Sequence, residues 1–297
     1  MRKLAAGLAI LTASCSSQPI ALNRIDEIAP EMPIYVSRMD DITYFHEVYF
    51  HPSQFEPSLE ERLKFENHGN YLVKKLGAGT GHEVNAYLLK GREDGPTAMV
   101  LAPHGDEVGA WKAAEALLRY EVLVGNLIVV PWLDNVAVRA KARYNFMGGA
   151  DPNREYGEYQ SGTYVSRIAN DVKKLIMSKE ISLVLNLHEA FGYNSLNPSH
   201  LGHTLIVDTD QMAEKARGML PRINKGLHGR LRFTVLMQPN SYTLTYFCIA
   251  NGVDAYGVET SKNLDDELSK EIHLANATMM LDSYGIKIRP RSYKKPL

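Results

Sequence analysis

Four short apolar runs, each lacking regular polar alternation, constrain the fold of this chain more than any other sequence feature. They lie at residues 97–103, 126–133, 181–190 and 254–260. A strand with one face in water alternates apolar and polar residues, whereas a strand covered on both faces does not. Helical patterns separate the runs, at residues 108–120, 164–180, 212–220 and 267–285. The sequence therefore predicts an α/β fold, with a mixed, mostly parallel central sheet and helices on both faces.

A second group of short apolar segments precedes this alternating pattern. These segments are separated by glycines and lie at residues 71–79, 83–91 and 96–104. Short apolar segments with glycine turns between them are typical of strand-turn-strand units. We expect them to begin a catalytic domain that spans residues 66–297.

The first residues have the pattern of an export signal. Arg2 and Lys3 precede an apolar stretch at 4–11, and small residues lead to Cys15. This pattern predicts a signal peptide at residues 1–14, and the stretch is too short for a membrane-spanning helix. The sequence around Cys15 resembles a bacterial lipobox, which implies a periplasmic lipoprotein anchored to the membrane through lipidated Cys15. The alternative is ordinary cleavage nearby, which would release a soluble periplasmic protein.

Composition excludes several classes of protein and site. The chain has 33 Lys and Arg against 34 Asp and Glu, so its overall charge gives no reason to expect nucleic-acid binding. Its two cysteines, Cys15 and Cys248, exclude a disulfide scaffold and a cysteine-rich metal site. Cys248 lies in an apolar run and is expected to be a buried thiol. We interpret residues 15–65 as a tether and N-terminal extension, including a capping box at 58–61.

Ionisable side chains follow three of the predicted strands. His104 and Glu107 come after the run at 97–103, His188 lies near the end of 181–190, and Glu259 lies near the end of 254–260. Ligands of open α/β sheets bind beyond the carboxyl ends of strands. Two imidazoles and one carboxylate from such ends would supply three zinc ligands and leave a fourth position for water.

A glycine-containing loop between the predicted strand at 126–133 and the predicted helix at 164–180 carries hydrogen-bond donors that could bind an anion. Arg143, Asn153 and Arg154 lie in or beside this loop. A guanidinium binds a carboxylate with two parallel hydrogen bonds and stays charged at working pH. His200 and His203 form a rival metal pair, but their loop has no accompanying carboxylate, so we expect them at the surface or at a pocket rim.

Together these residues resemble the funnelin-type zinc metallocarboxypeptidases and the related aspartoacylase/succinylglutamate desuccinylase group. The order His-x-x-Glu, Arg, Asp-x-Asn-Arg, strand-end His and late Glu covers most of the chain after residue 71. The strings HGDE, LNLHEAFGY and GVETSK look most similar to secreted peptidoglycan carboxypeptidases that trim stem peptides and influence cell shape. The resemblance implies a three-layer sandwich.

The resemblance also implies a role for each matching residue. One zinc ion per chain would be held by His104, Glu107 and His188, with Glu259 as the general base for the zinc-bound water. Arg143 would stabilise the oxyanion. The terminal carboxylate of the substrate would be bound by Asn153 and Arg154. Asp151 would orient a zinc-ligating histidine, and Tyr242 is the preferred substrate-binding tyrosine, with Tyr246 and Tyr256 as alternatives.

The leading functional hypothesis is a secreted zinc metallocarboxypeptidase whose partner is a peptide with a free C-terminal carboxylate, such as a peptidoglycan stem peptide. One alternative is an N-acyl amino-acid deacylase similar to aspartoacylase. The leader argues against this alternative, and so does the segment 260–297, which we expect to be too short for the β-rich domain of those relatives. Another is a lipoprotein that binds wall peptides without cleaving them. Asp254 could meet a cationic substrate side chain or lie at the surface.

Overall fold

The computed structural model describes residues 71–145 and 149–291. The predicted signal peptide at 1–14, Cys15 and the predicted tether at 15–65 lie outside these residues. Within the described ranges, no helix combines the length and the apolar character that a membrane span requires.

Nine strands of the described chain form one mixed sheet. In chain order they are β1 (Tyr71–Leu76), β2 (Val84–Lys90), β3 (Glu93–Leu101), β4 (Tyr120–Val130), β5 (Ile181–Ala190), β6 (Thr204–Val207), β7 (Thr234–Met237), β8 (Asp254–Ser261) and β9 (Lys287–Pro290). The spatial order is β1-β2-β4-β3-β5-β8-β6-β7, and β9 pairs with β4. The central strands β4, β3, β5 and β8 are mutually parallel, which confirms the predicted class.

Within the same described ranges, six α-helices cover the sheet: α1 (Val108–Leu117), α2 (Asn135–Ala140), α3 (Tyr164–Ser178), α4 (Asp210–Ile223), α5 (Leu244–Ala250) and α6 (Asp266–Ser283). Helices α3 and α5 share one core cluster with the sheet. Helix α6 packs against both α1 and α4. The predicted arrangement of helices on both faces is therefore confirmed.

Buried apolar side chains pack against both faces of the sheet. Alternate residues of β3 face opposite sides, so Met99 and Leu101 join the α3–α5 cluster while Ala98 and Val100 are buried on the other side. Cys248 of α5 is a free thiol with no exposed surface, which confirms its predicted burial. The core thus encloses the parallel strands from both sides and fixes their carboxyl ends at one edge.

Several short elements were absent from the sequence prediction. Helices α2 and α5 and strands β6 and β7 were not predicted, because each has seven residues or fewer and shows little of the periodicity that marks longer elements. Strand β9, in the basic segment near the end of the described chain, was also not predicted, and it pairs antiparallel with β4.

The turn after β3 depends on a glycine. A Cβ atom on Gly105 would lie 2.2 Å from the carbonyl carbon of Ala137, which is closer than such atoms approach. Helix α2 begins beside this turn, where the side chain of Asp134 accepts hydrogen bonds from the N–H groups of Val136 and Ala137. The close contact between the turn and α2 positions His104 on one side of Gly105 and Glu107 on the other.

Candidate metal centre and substrate cavity

Three strand-end residues meet in one buried cluster. His104 follows β3, Glu107 caps the start of α1, and His188 lies in β5. One nitrogen or oxygen atom from each residue lies within 4.8 Å of the others, and all three side chains are buried. The sequence prediction had placed these residues in one site, and the structure brings them together.

Hydrogen bonds fix which atoms of the cluster face one another. Glu107 accepts from both histidines through their Nδ1 atoms, at 2.8 Å from His104 and 2.9 Å from His188. The outer Nε2 atom of His104 lies 2.9 Å from Asp151 Oδ1. The outer Nε2 atom of His188 accepts from Asn153 Nδ2 at 3.1 Å. Both rings are thereby held with Nδ1 inward, the orientation that Asp151 was expected to impose on one of them.

Opposing effects set the pKa values of these groups. Burial opposes ionisation of Glu107, but the two imidazoles outweigh it and lower its pKa well below the usual range. Burial also opposes the charge on His104, yet Glu107 and Asp151 raise its pKa to about 9. Burial lowers the pKa of His188, against the pull of Glu107. The carboxylate of Glu107 is therefore ionised, and a metal ion that bound the imidazole of His104 would displace a proton from it.

Glu259 lies beside the cluster because β8 pairs with β5. Its register partner is His188. The side chain is 7% exposed, and its Oε2 atom has no hydrogen-bond partner within the described part of the chain. Burial and the charge of Glu107 raise its pKa well above the usual range. A buried carboxyl group with one free oxygen is thus directed at the same site.

A cavity of about 170 Å³ opens over the cluster. Its walls include the predicted residues Arg143, Asn153 and Arg154 together with Glu107, His188 and Glu259. Arg154 is exposed and donates through Nη1 to the carbonyl of Asn153 at 2.9 Å, whereas the side chain of Asn153 accepts hydrogen bonds from Asn186 and from the N–H of Leu244. The predicted substrate residues therefore line the cavity that contains the candidate metal ligands.

Arg143 contacts the metal cluster, whereas the predicted substrate-binding residue Tyr242 does not line the cavity. Arg143 donates to Asp151 Oδ2 at 3.2 Å and to Glu107 Oε1 at 3.3 Å, so its guanidinium lies against the cluster. Tyr242 is 42% exposed and does not line the cavity, although the neighbouring Thr243 does. Tyr246 is 39% exposed, and the hydroxyl of Tyr256 bonds to Tyr284. Each of the three tyrosines is next in sequence to a residue that lines the cavity, namely Thr243, Thr245 or Gly257.

Two acidic neighbours of the cluster make other contacts. Asp106 forms an ion pair with Lys262 at 2.6 Å. Glu189 accepts hydrogen bonds from the N–H of Gly109 and from the hydroxyl of Ser269, which joins the end of β5 to α1 and α6. Both carboxylates therefore bind partners outside the three-residue cluster.

Other cavity residues were missed by the sequence analysis. Asn186 lies two residues before His188 in β5 and therefore faces the same side of the sheet. A polar side chain within an apolar strand was the signal that could have identified it. The opposite wall comes from segments around β6, β7 and α5, and it includes Ile206, Gln238, Asn240, Thr243 and Thr245.

The two histidines that were expected at the surface or at a pocket rim differ in their burial. His200 is exposed, as expected. The expectation was wrong for His203, which has no exposed surface and hydrogen bonds through Nδ1 to the carbonyl of Leu231 at 2.7 Å. Its ring packs between Tyr193 and Phe233. The burial follows from the unpredicted strand β6, which begins at the next residue.

Among known proteins, this chain is similar to enzymes that hydrolyse peptide or amide bonds. The family described as "carboxypeptidase controlling helical cell shape, catalytic" matches residues 79–228. The N-alpha-acetyl-L-2,4-diaminobutyric acid deacetylase of Halomonas elongata is 29% identical over 131 residues, which cover 43% of this chain and 38% of the relative.

Solved structures share the fold. The tripeptide-bound cell shape determinant Csd4 from Helicobacter pylori superposes with a TM-score of 0.61 at 24% identity, covering 67% of this chain and 53% of that one. A succinylglutamate desuccinylase from Silicibacter gives a TM-score of 0.54 at 18% identity, covering 69% of this chain and 61% of that one. The chain therefore spans about half the length of Csd4 and less of the deacetylase.

Proposed function

This chain belongs to the family of carboxypeptidases that control helical cell shape, and we propose that it is a secreted zinc metallocarboxypeptidase. The observation that carries the proposal is the buried His104–Glu107–His188 cluster beside Glu259 in one cavity. The bond cleaved is an amide next to a free carboxylate. A peptidoglycan stem peptide is the proposed substrate.

The donor atoms of the cluster fit zinc. Two imidazole nitrogens and one carboxylate are the ligands of many catalytic zinc sites, which keep a further position open. Both Nδ1 atoms already face Glu107, and the outer nitrogen of His104 meets a carboxylate of Asp151. When bound, zinc lowers the pKa of a coordinated water toward about 7 and polarises the substrate carbonyl.

In the proposed reaction, each of the surrounding side chains has a role in hydrolysis. Glu259 takes the proton of the attacking water on its free Oε2 atom and passes it to the leaving amine. Arg143, close to the cluster, stabilises the negative charge that develops on the carbonyl oxygen. Arg154 binds the terminal carboxylate of the substrate, and Asn153 contributes its amide from the cavity wall. Tyr242 covers the bound substrate from the adjoining turn.

The substrate proposal draws on relatives. A structure of Csd4 with mDAP bound is described as that of a D,L-carboxypeptidase, and another Csd4 structure contains a tripeptide. By extension, this chain would remove the C-terminal residue of a wall peptide. The net charge of the chain is -1, so its overall field does not attract an anionic substrate. The positive charge that attracts the substrate is instead supplied locally by Arg143 and Arg154.

Product analysis tests this function directly. Purified protein is incubated with muropeptides, with and without a chelator, and the products are identified by mass spectrometry. We expect loss of one C-terminal residue, which stops with chelator and in Glu259→Gln. Glu121→Gln, near the start of β4 and thus at the sheet edge opposite the carboxyl ends of the parallel strands, serves as the matched control and keeps full activity. Unchanged muropeptides with the zinc-loaded wild type would contradict the proposal.

An N-acyl amino-acid deacylase is the second candidate. The match to a diaminobutyric acid deacetylase and the shared desuccinylase fold favour it. The chemistry and the ligands are the same, and only the group on the acyl side of the amide differs. Hydrolysis of acetylated diamino acids without action on muropeptides would establish this candidate in place of the first.

We further propose that the protein is exported and attached to the membrane by lipid on Cys15. The support is the leader pattern at residues 1–14 and the lipobox resemblance. Cell fractionation tests it: the wild type is expected in the membrane fraction and Cys15→Ser in a soluble or unprocessed form. Equal soluble recovery of both proteins, each processed to the same mass, would indicate ordinary cleavage.

A further inference from the structure

Glu189 directly follows a candidate metal ligand but has no role in the proposed hydrolysis. Neighbouring residues of a strand point to opposite faces, so the side chain of His188 reaches the metal cluster while that of Glu189 contacts α1 and α6. Glu189 borders the cavity and is only 6% exposed, and both of its carboxylate oxygens have donors. The N–H of Gly109 donates to Oε2 at 3.1 Å, and the hydroxyl of Ser269 donates to Oε1. One buried carboxylate thus joins β5 to two helices.

The start of α1 lacks the usual capping bond. The first N–H groups of a helix have no partner within it, and the side chain of the N-cap residue commonly accepts from one of them. Glu107 is the N-cap residue of α1, yet its side chain makes no such bond with the residues that the structure describes. Its two oxygens instead accept from the imidazoles of His104 and His188. The second N–H group of α1, that of Gly109, is bound by Glu189 in its place.

The contact between β5 and the start of α1 leaves little room for adjustment. A Cβ atom on Gly109 would lie 2.7 Å from Glu189 Oε1 and 2.4 Å from Ser269 Oγ, which is closer than such atoms approach. The hydroxyl of Ser269 also bonds to that of Thr260 at 2.6 Å, and Thr260 follows Glu259 in β8. These bonds therefore fix the start of α1 relative to β5 and to the strand that carries Glu259.

We propose that Glu189 is a positioning residue, which binds the N–H of Gly109 in place of Glu107 and so keeps the Glu107 carboxylate directed at the metal cluster. The inference rests on the proposed zinc-dependent function. Without an acceptor from β5, the positive end of α1 competes with the metal for the Glu107 carboxylate, because anions are stabilised at a helix N-terminus. The role depends on the reach of an acceptor oxygen and not on the charge of Glu189.

Two conservative exchanges separate reach from charge. Glu189→Gln keeps an acceptor oxygen at full length, and its amide nitrogen can donate to the hydroxyl of Ser269, so its zinc affinity should stay within about threefold of wild type. Glu189→Asp keeps the charge but is one methylene shorter, so it should weaken zinc binding about 10–100-fold. Competition with a chromogenic chelator measures both affinities. A tenfold loss in Glu189→Gln, or an affinity near that of wild type in Glu189→Asp, overturns the proposal.

Cobalt substitution shows whether Glu107 stays on the metal. The absorption of bound Co²⁺ depends on its ligands and their geometry, so we expect the wild-type spectrum in Glu189→Gln and an altered one in Glu189→Asp. An unaltered spectrum in Glu189→Asp overturns the positioning role.

Asp171→Ala is the control for a general loss of stability. It removes the 2.8 Å bond from the N–H of Gly77 to Asp171 Oδ2, which joins α3 to the turn after β1, four strands away from β5. This variant should unfold at lower denaturant concentration than wild type but keep the zinc affinity and the cobalt spectrum. Equal loss of zinc affinity in Asp171→Ala and Glu189→Asp would attribute the effect to stability and overturn the proposal.

Hydrogen exchange in the wild type tests the bond without any substitution. The N–H of Gly109 should exchange at least about tenfold more slowly than an unprotected amide, with zinc and without it. Unprotected exchange in the zinc-loaded protein overturns the proposal even if the variants do not fold. A wild type that binds zinc but hydrolyses no amide would refute the proposed function, and the affinity and cobalt measurements would still decide the role of Glu189. A wild type that binds no zinc overturns both.

Discussion

Burial of His203 predicts a specific loss of stability in acid. Burial lowers the pKa of this imidazole from 6.5 to about 4; the carbonyl of Leu231 opposes the shift and the nearby Arg230 adds to it. The ring has no exposed surface, so protonation in the folded state is not relieved by water. Replacing His203 with Gln removes the ionisable group. Residue 203 has a left-handed backbone conformation with φ of 60°, and histidine and glutamine both place a Cβ atom there, so the backbone is equally strained in the two proteins.

The magnitude follows from the difference between the folded and unfolded pKa. A folded pKa below the unfolded value means that the neutral ring stabilises the fold. This stability is complete above about pH 6.5 and falls as the pH drops toward 4, because protons bind the unfolded chain more tightly. The full difference of two and a half pH units corresponds to about 3.4 kcal/mol. About 2 kcal/mol of this is lost between about pH 7.5 and about pH 5.

Denaturant unfolding at these two pH values measures the effect. The free energy of unfolding of the wild type should fall by about 2 kcal/mol more than that of His203→Gln over this interval. His200→Gln is the matched control, because His200 is exposed and lies in the same loop, and its loss should equal that of the wild type. A His203→Gln variant that loses as much stability in acid as the wild type would refute the reasoning.

Four further substitutions test the site and its support. Glu259→Gln should lower kcat by about 10²–10⁴-fold while zinc affinity stays unchanged, which competition with a chromogenic chelator measures alongside the rate. Asp151→Asn should weaken zinc binding about 10–100-fold in the same competition, and unaltered affinity would show that its bond to His104 is dispensable. Gly105→Ala should lower the free energy of unfolding by about 2 kcal/mol or more, because the added Cβ atom meets the backbone of Ala137. Gly218→Ala is the comparison: it has open space around it in α4, so this exchange should raise the free energy of unfolding by up to about 1 kcal/mol.

The central sheet and its long helices were predictable because their sequence signals are local. Runs such as 181–190 are apolar throughout, and helices such as α6 extend for 18 residues. The carboxyl ends of parallel strands meet at one edge of a sheet, so His104, His188 and Glu259 could be grouped before any coordinates were known. The same reasoning could not place His188 opposite Glu259, because that neighbour relation depends on the order of strands in the sheet.

The wall opposite the metal cluster was not predictable in the same way. Strand β6 has only four residues and follows an irregular loop, so it was not recognised. Without β6, His203 was expected at the surface or at a pocket rim. The helix α5, with seven residues, likewise left Thr245 unplaced. These residues acquire their positions from packing between short segments that are distant in sequence.

Zinc titration tests the central claim most directly. Chelator-treated protein is supplied with increasing zinc, and bound metal and hydrolysis of a C-terminal peptide bond are measured on the same samples. We expect hydrolysis to rise in proportion to bound zinc and to saturate at about one ion per chain, as the single three-ligand cluster found among the described residues implies. Glu107→Gln should lose both binding and hydrolysis. Full hydrolysis without bound zinc, or tight zinc binding that persists in Glu107→Gln, would contradict the account.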